Sequence, residues 1–249
     1  MAGHSAYSNI KHRKGAQDAK RAKVFTKIAR EIIVAVKSGL PEPESNPRLR
    51  AAIQAARAVN MTNDRINSAI KQGSGNQDTD NYEEMRYEGY GPGGVAVIVD
   101  CLSNNRNRTG GDVRSMFTKA GCTMGADGSV SFGFDRVGLF EYPAEKASAD
   151  DMLEAAIEAG ADDCESDEFM HSITCKPDDF SSVRDGLVAK FGEADTARLS
   201  WKAQNLCPVD LEKATSLMKL IDALEDNDDV QFVTTNADIS DEVMESLAS

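Results

Sequence analysis

The chain has 249 residues, of which 41% are hydrophobic, 28% charged and 6% aromatic, with a formal net charge of −13 at pH 7. That composition belongs to a globular protein of roughly one to three domains and excludes a disordered, collagen-like or membrane-spanning chain. A chain of this length buries most of its extended surface without disulfide or metal staples, and a uniformly spread negative charge would repel nucleic acid.

The charge is not uniform. Residues 1–71 hold 14 Lys and Arg against 5 Asp and Glu, a net of +9, whereas the remainder holds 14 against 36, a net of −22. Such asymmetry points to a polyanion partner for the basic segment, or to a basic head that pairs with the chain's own acidic body.

The basic segment reads as helices. Over residues 15–37, Phe25, Ile28, Ala29, Ile32, Ile33 and Val36 mark one helical stripe. At about 100° per residue, Lys20, Lys23, Lys27 and Arg30 fall nearly opposite it, as a row of cations. Gly39, Pro41 and Pro43 end this helix. Asn46 then caps a second helix with Pro47 at its first position, and Leu49, Ile53, Ala56 and Val59 face inward. A third helix is expected from Thr62 as N-cap, with Met61 stapled on Ile66, to a stop at Gly73, followed by a polar linker over 74–81.

From Tyr82 onward short strands mix with helices. Residues 95–99 are apolar on both faces and read as a central strand, residues 109–120 as a helix ended by Gly121. Val130, Phe132 and Phe134 alternate with Ser129, Ser131 and Gly133, the pattern of a half-buried strand. Then come strand 139–142, helix 148–159, strands 163–166 and 169–175, helix 178–191 and strand 197–201, a βαββαβ order. Leu211, Ala214, Leu217, Met218, Ile221 and Leu224 mark a further helix, and 230–234 a further strand, which complete the interrupted first set. The expected fold class is α+β in three domains, an all-helical one and two ferredoxin-like α/β ones. They are a basic helical domain over 1–75, a discontinuous second domain over 82–136 plus 206–240, and a third inserted over 137–205.

No catalytic constellation emerges. The run Gly89-Tyr-Gly-Pro-Gly-Gly94 matches the dinucleotide fingerprint by letter, but a strand follows it where that fold requires a helix. It reads as a tight turn with glycines at positive φ, or as an exposed loop (Gly89, Tyr90, Gly91, Pro92, Gly93) whose bare backbone approaches an RNA or protein partner. The three histidines and five cysteines lack metal-ligand spacing, and His171 reads as a satisfied structural residue. Asp150-Asp151, Asp162-Asp163 and the 226–229 run read as solvated caps, which weakens the alternative of a metal-dependent hydrolase or nuclease. No catalytic residue, metal or cofactor is expected. The odd, widely spaced cysteines suggest reduced thiols in a cytoplasmic protein, and neither a signal peptide nor a membrane helix is expected.

The candidate nucleic-acid-binding residues are Lys11, His12, Arg13, Lys14, Lys20, Arg21, Lys23, Lys27 and Arg30 in the head. Arg106 and Arg108 join them from a loop beside a helix N-terminus, where they would hold phosphate or else pair with neighbouring carboxylates and pin a domain interface. With few aromatic or amide side chains among them, affinity would be electrostatic and weakly sequence-specific. A pure protein-interaction adaptor is the remaining alternative.

Met1-Ala-Gly-His-Ser5, Asn9-Ile-Lys-His-Arg-Lys14, Ala16-Gln-Asp-Ala-Lys-Arg21, Asn46-Pro-Arg-Leu-Arg50, Tyr87-Glu-Gly-Tyr-Gly-Pro-Gly-Gly94, Asn105-Arg-Asn-Arg-Thr109 and Gly128-Ser-Val-Ser-Phe132, followed by Trp201 and Asn205, resemble the YebC/PmpR family over the whole chain. The chain departs from the family pattern at Ala6-Tyr7, where Lys-Trp is usual, at Asn104, where an acid is usual, and at Thr62 and Ala203, where proline is usual. The resemblance implies a three-domain, cytoplasmic, non-enzymatic regulator. It would be either a DNA-binding transcriptional regulator or a ribosome-associated translational activator that relieves stalling at proline-rich stretches. Its partners would be DNA or ribosomal RNA, with ribosomal proteins against the acidic body, and no membrane or small-molecule cofactor.

Overall fold

The computed structural model describes residues 18–75 and 82–248. Its elements begin with helices α1 (Asp18–Lys37), α2 (Pro47–Ala58) and α3 (Asn63–Ser74). Next come β1 (Glu83–Tyr90), β2 (Ala96–Ser103), α4 (Arg106–Lys119), β3 (Thr123–Met124) and β4 (Phe134–Pro143). The chain continues through α5 (Ala149–Ala159), β5 (Asp163–Ser166), β6 (Met170–Cys175), α6 (Phe180–Phe191) and β7 (Thr196–Ala203). It ends with β8 (Cys207–Pro208), α7 (Leu211–Glu225), β9 (Val230–Thr235), β10 (Ala237–Asp238) and α8 (Asp241–Ala248).

The apolar stripe of α1 does what its spacing dictates. Ile32, Ile33 and Val36 pack with Leu49, Ile53 and Ala56 of α2 and Ile66 of α3, with Phe25 and Ile28 at the margin. Each fully buried Ile, Leu or Val among them contributes roughly 1.5–3 kcal/mol. Asn46 caps α2 by accepting the Leu49 N–H at 3.0 Å, and its amide donates to the Ala35 and Leu40 carbonyls at 2.7 and 2.8 Å. One side chain thus joins the end of α1 to the start of α2.

Two expectations in this region change. Thr62 occupies the N-cap position of α3, but its side chain makes no cap bond. Its carbonyl instead accepts the Arg65 and Ile66 N–H groups. Gly73 does not stop α3, which runs to Ser74; it is where α3 meets α1, since a Cβ there would lie 2.8 Å from Val36 Cβ and 2.9 Å from the Ile33 carbonyl oxygen.

Two four-stranded sheets follow, with orders β3-β1-β2-β9 and β5-β6-β4-β7. All their neighbours are antiparallel. In each, a strand–helix–strand pair brackets a third strand: β2, α4 and β3 around β1, and β4, α5 and β5 around β6. This is the ferredoxin-like arrangement, and β9 completes the first sheet only after the chain has traversed the second. Phe117, Val113, Leu217 and Leu220 cover one face of the first sheet, and Phe140, Met152, Val183 and Leu187 fill the core of the second. Between the sheets, Ala96 and Ile98 of β2 meet Val130, Phe134 and the Trp201 indole. Arg86 and Arg136 lie over that indole at 5.0 and 4.7 Å from its centroid.

Two more sequence expectations are corrected. The alternation at Val130, Phe132 and Phe134 is not a strand: residues 131–133 form a 3-10 turn, Phe132 is 75% exposed, and β4 begins only at Phe134. The cause is Glu88, whose buried carboxylate accepts the Val130 and Ser131 N–H groups, both at 2.9 Å, and so takes them from any strand ladder. The strand that follows α4 is the short β3, paired to β1 through Gly89 and Tyr90. Helix α4 itself starts at Arg106 rather than 109, because the Asn105 side chain accepts the Arg108 N–H at 3.0 Å and caps it earlier.

Candidate nucleic-acid interface

Helix α7 ends in an electrostatically costly way. A helix C-terminus leaves its last carbonyls without intrahelical partners and carries roughly half a negative charge. Here Glu225, Asp226, Asp228 and Asp229 add four carboxylates, and the last turn of α7 holds no basic residue. The compensating cations come from the far end of the sequence. Lys27 donates to the Glu225 carbonyl at 2.6 Å, and Lys23 to the Asp226 carbonyl at 3.0 Å and its carboxylate at 3.1 Å. Arg30 donates to the Asp228 carbonyl at 2.6 Å and to Asp229 Oδ1 at 2.8 Å, with its guanidinium 5.6 Å from the Tyr82 ring centroid. The cation row of α1 caps α7.

Asp229 is the centre of this joint. Its Oδ2 accepts from Arg108 at 2.8 Å, Thr109 at 2.8 Å and Ser103 at 3.0 Å. Its own N–H donates to Asn227 Oδ1, and its carbonyl accepts the Leu102 N–H. Burial pushes its pKa up, but the Arg108, Thr109 and Ser103 hydrogen bonds and the Arg108 charge outweigh this and hold the carboxyl below its ordinary range. Within the 226–229 run the expectation of a solvated cap fails at Asp229, which is 4% exposed, while Asp226 and Asp228 are exposed as expected.

The predicted binding residues divide accordingly. Lys11, His12, Arg13 and Lys14 lie outside the described residues, and so do the side chains of Lys20 and Arg21, whose backbone begins α1. Lys23, Lys27, Arg30 and Arg108 converge on the 225–229 segment, the intramolecular pairing that the charge split allowed as an alternative. Arg106 is exposed in the first turn of α4, beside a small cleft lined by Glu84, Met85, Arg86, Tyr87 and Asp127. Asp229 was missed by sequence reasoning; the available signal was a helix with an acidic run at its C-terminal end and no base of its own there.

The Gly-Pro run is the hairpin loop between β1 and β2. Gly89 lies within β1, where a Cβ would meet Phe117 Cε1 and the Thr123 carbonyl oxygen, each at 2.8 Å. Tyr90 is 45% exposed and donates to the Ser129 carbonyl at 3.0 Å. Gly91 donates to the Val95 carbonyl, Pro92 starts a 3-10 turn, and Gly93 and Gly94 take positive φ of 77° and 78°. Away from these loops, buried His171 shares a hydrogen bond of 2.7 Å between Nδ1 and the Ser166 hydroxyl and faces the Ala144 and Ala147 carbonyls with Nε2, a satisfied structural role. Among the described residues no group of three His, Cys, Asp or Glu is placed to hold a metal ion. The five cysteines are unpaired, and burial pushes the Cys175 thiol up to about 11.

These features define a three-part α+β protein, in which a helical head is clasped through its cations to the first of two ferredoxin-like sheets. The family model for the TACO1/YebC protein N-terminal domain matches residues 5–76, and that for the TACO1/YebC second and third domain matches residues 82–237. The crystal structure of a conserved hypothetical protein from Aquifex aeolicus superposes with a TM-score of 0.85 at 44% identity, covering 90% of this chain and 93% of that one. The chain belongs to the TACO1/YebC family, which is of regulator type rather than an enzyme family. No described helix is long and apolar enough to cross a membrane.

Proposed function

We propose that the chain is a nucleic-acid-binding regulator of gene expression that grips the phosphate backbone through its basic head. The charge partition carries this reading: +9 over residues 1–71 against −22 over the rest concentrates the cations on one part of the molecule. Lys11, Arg13, Lys14, Lys20 and Arg21 stand at the start of that part, ahead of the cations that the body engages. Duplex DNA is the target in the transcriptional form of this reading.

A second form, a ribosome-associated translation factor bound to ribosomal RNA, is favoured by Arg65. If α2 and α3 act as a helix-turn-helix, α3 is the reading helix, yet the Arg65 guanidinium lies 5.4 Å from the Phe25 ring centroid, against the head itself. An Arg engaged in this way supports backbone binding over base readout. A ribosome also offers basic proteins to an acidic body, which duplex DNA would repel.

The test is ribosome co-sedimentation at two salt concentrations beside promoter footprinting. Salt-dependent pelleting without a footprint selects the translational form, and a footprint without pelleting selects the transcriptional one. A flat salt response on both duplex DNA and ribosomal RNA rejects nucleic-acid binding.

A further inference from the structure

Four residues that sequence reasoning assigned to phosphate, Lys23, Lys27, Arg30 and Arg108, converge on one stretch of this chain, residues 225–229. That stretch presents to the cations of α1 a row of acceptor oxygens, the carboxylates of Asp226 and Asp229 and the carbonyls of Glu225, Asp226 and Asp228, where a nucleic-acid strand would present phosphate oxygens. Three successive contacts follow the axis of α1, from Lys23 on Asp226 through Lys27 on Glu225 to Arg30 on Asp228 and Asp229. The contacts are graded. The Lys23 and Asp226 side chains are 42% and 63% exposed, whereas those of Arg30 and Asp229 are 17% and 5% exposed. Exposed pairs are weakened by salt and by competing ions, and buried ones much less so.

We propose that the 225–229 segment is a built-in competitor for the head's cations, an autoinhibitory latch that a polyanion displaces from its exposed end inward. This rests on the nucleic-acid reading above. A strand that engages the exposed Lys23 first would take Lys27 next, while the buried Arg30–Asp229 pair keeps the head tethered. Apparent affinity then falls by the fraction of molecules whose cations are held by the latch. The latch also adds selectivity, because only a ligand with several regularly spaced anions can replace several contacts at once.

The test uses the full chain with a short duplex DNA and with a ribosomal RNA fragment, followed by fluorescence anisotropy. Asp226→Asn removes the exposed carboxylate of the latch, and Asp178→Asn, at an exposed position in the 3-10 turn that precedes α6, makes the same change in net charge as a control. Asp226→Asn should bind about two- to fivefold tighter than Asp178→Asn at low salt, the factor that one exposed ion pair is worth. Lys23→Gln should bind more weakly than wild type. Saturating wild type with nucleic acid should speed hydrogen exchange at the amides of residues 226–230 and leave α5 unchanged. Equal affinities for the two Asn variants, with unchanged exchange at 226–230, overturn the latch and leave nucleic-acid binding standing. If no form of the protein binds either nucleic acid, the functional reading falls, and the latch with it.

Discussion

Arg30 and Asp229, 199 positions apart, meet at 2.8 Å between a guanidinium nitrogen and Oδ1, in a contact that is nearly closed to solvent on the carboxylate side. Because Oδ2 of the same carboxylate holds Arg108, Thr109 and Ser103, one side chain joins the helical head to the N-terminus of α4 and the end of β2. Removing it takes a shared acceptor from two guanidinium groups and two hydroxyls, of which Arg30 keeps the Asp228 carbonyl and Thr109 the Asn105 carbonyl. Asp229→Ala should cost about 3–5 kcal/mol, the usual penalty for breaking a buried pair from one side. In a chain of this length that lowers the thermal midpoint on the order of 10 °C, which calorimetry checks.

The same carboxylate sets an acid sensitivity. Its folded pKa is held down by Arg108, Thr109 and Ser103 against the opposing effect of burial. A depressed carboxylate stabilises the fold fully above its unfolded pKa, about 3.9, and loses that contribution as pH falls through the lower folded value. Wild type should therefore lose stability as pH drops from about 5 towards 3. Asp229→Asn should start lower at neutral pH and fall less steeply over that window, as read by urea midpoints at each pH.

Glu88 governs the turn that presents Phe132. Burial raises its pKa, but the N–H groups of Val130 and Ser131 bind the carboxylate and bring the net shift below the ordinary range. Arg86 adds a bond at 2.9 Å. Glu88→Gln removes the charge from these bonds and should cost about 1.5–3 kcal/mol. Amide exchange at Val130 and Ser131 should rise together, ahead of the neighbouring strands.

Gly89 separates packing from contact. It belongs to the conspicuous Gly-Pro run, yet a Cβ there collides with Phe117 and with the backbone of Thr123. Gly89→Ala should destabilise the protein by roughly 1–3 kcal/mol, the usual range for overpacking. Any loss of binding should follow that loss of stability. Full binding activity lost at unchanged thermal midpoint would instead make Gly89 a direct contact.

The long periodic helices were legible because their apolar stripes are local in sequence. Phe25 through Val36 in α1 and Ala214 through Leu224 in α7 recur at helical spacing, and nothing distant overrides them, although Leu211 at the start of the α7 stripe is exposed. Residues 130–134 were not legible for the opposite reason: a carboxylate 42 positions earlier captures two of their N–H groups and turns an alternating pattern into a 3-10 turn. The cation row of α1 was found, and its intramolecular pairing was one of two readings of the charge split. That the pairing forms depends on α7 ending against α1, a relationship that no local pattern encodes.

A basic head that binds nucleic acid by charge must lose affinity as salt rises. The measurement compares the full chain with a variant carrying Lys11→Gln, Arg13→Gln, Lys14→Gln and Lys20→Gln, titrated onto ribosomal RNA and duplex DNA from roughly 50 to 200 mM salt. If about five phosphates are neutralised, the logarithm of the wild-type binding constant falls with a slope near −4.5 against the logarithm of salt, and the variant shows a shallower slope and weaker binding. Identical slopes for the two proteins, or no salt dependence in either, would contradict it.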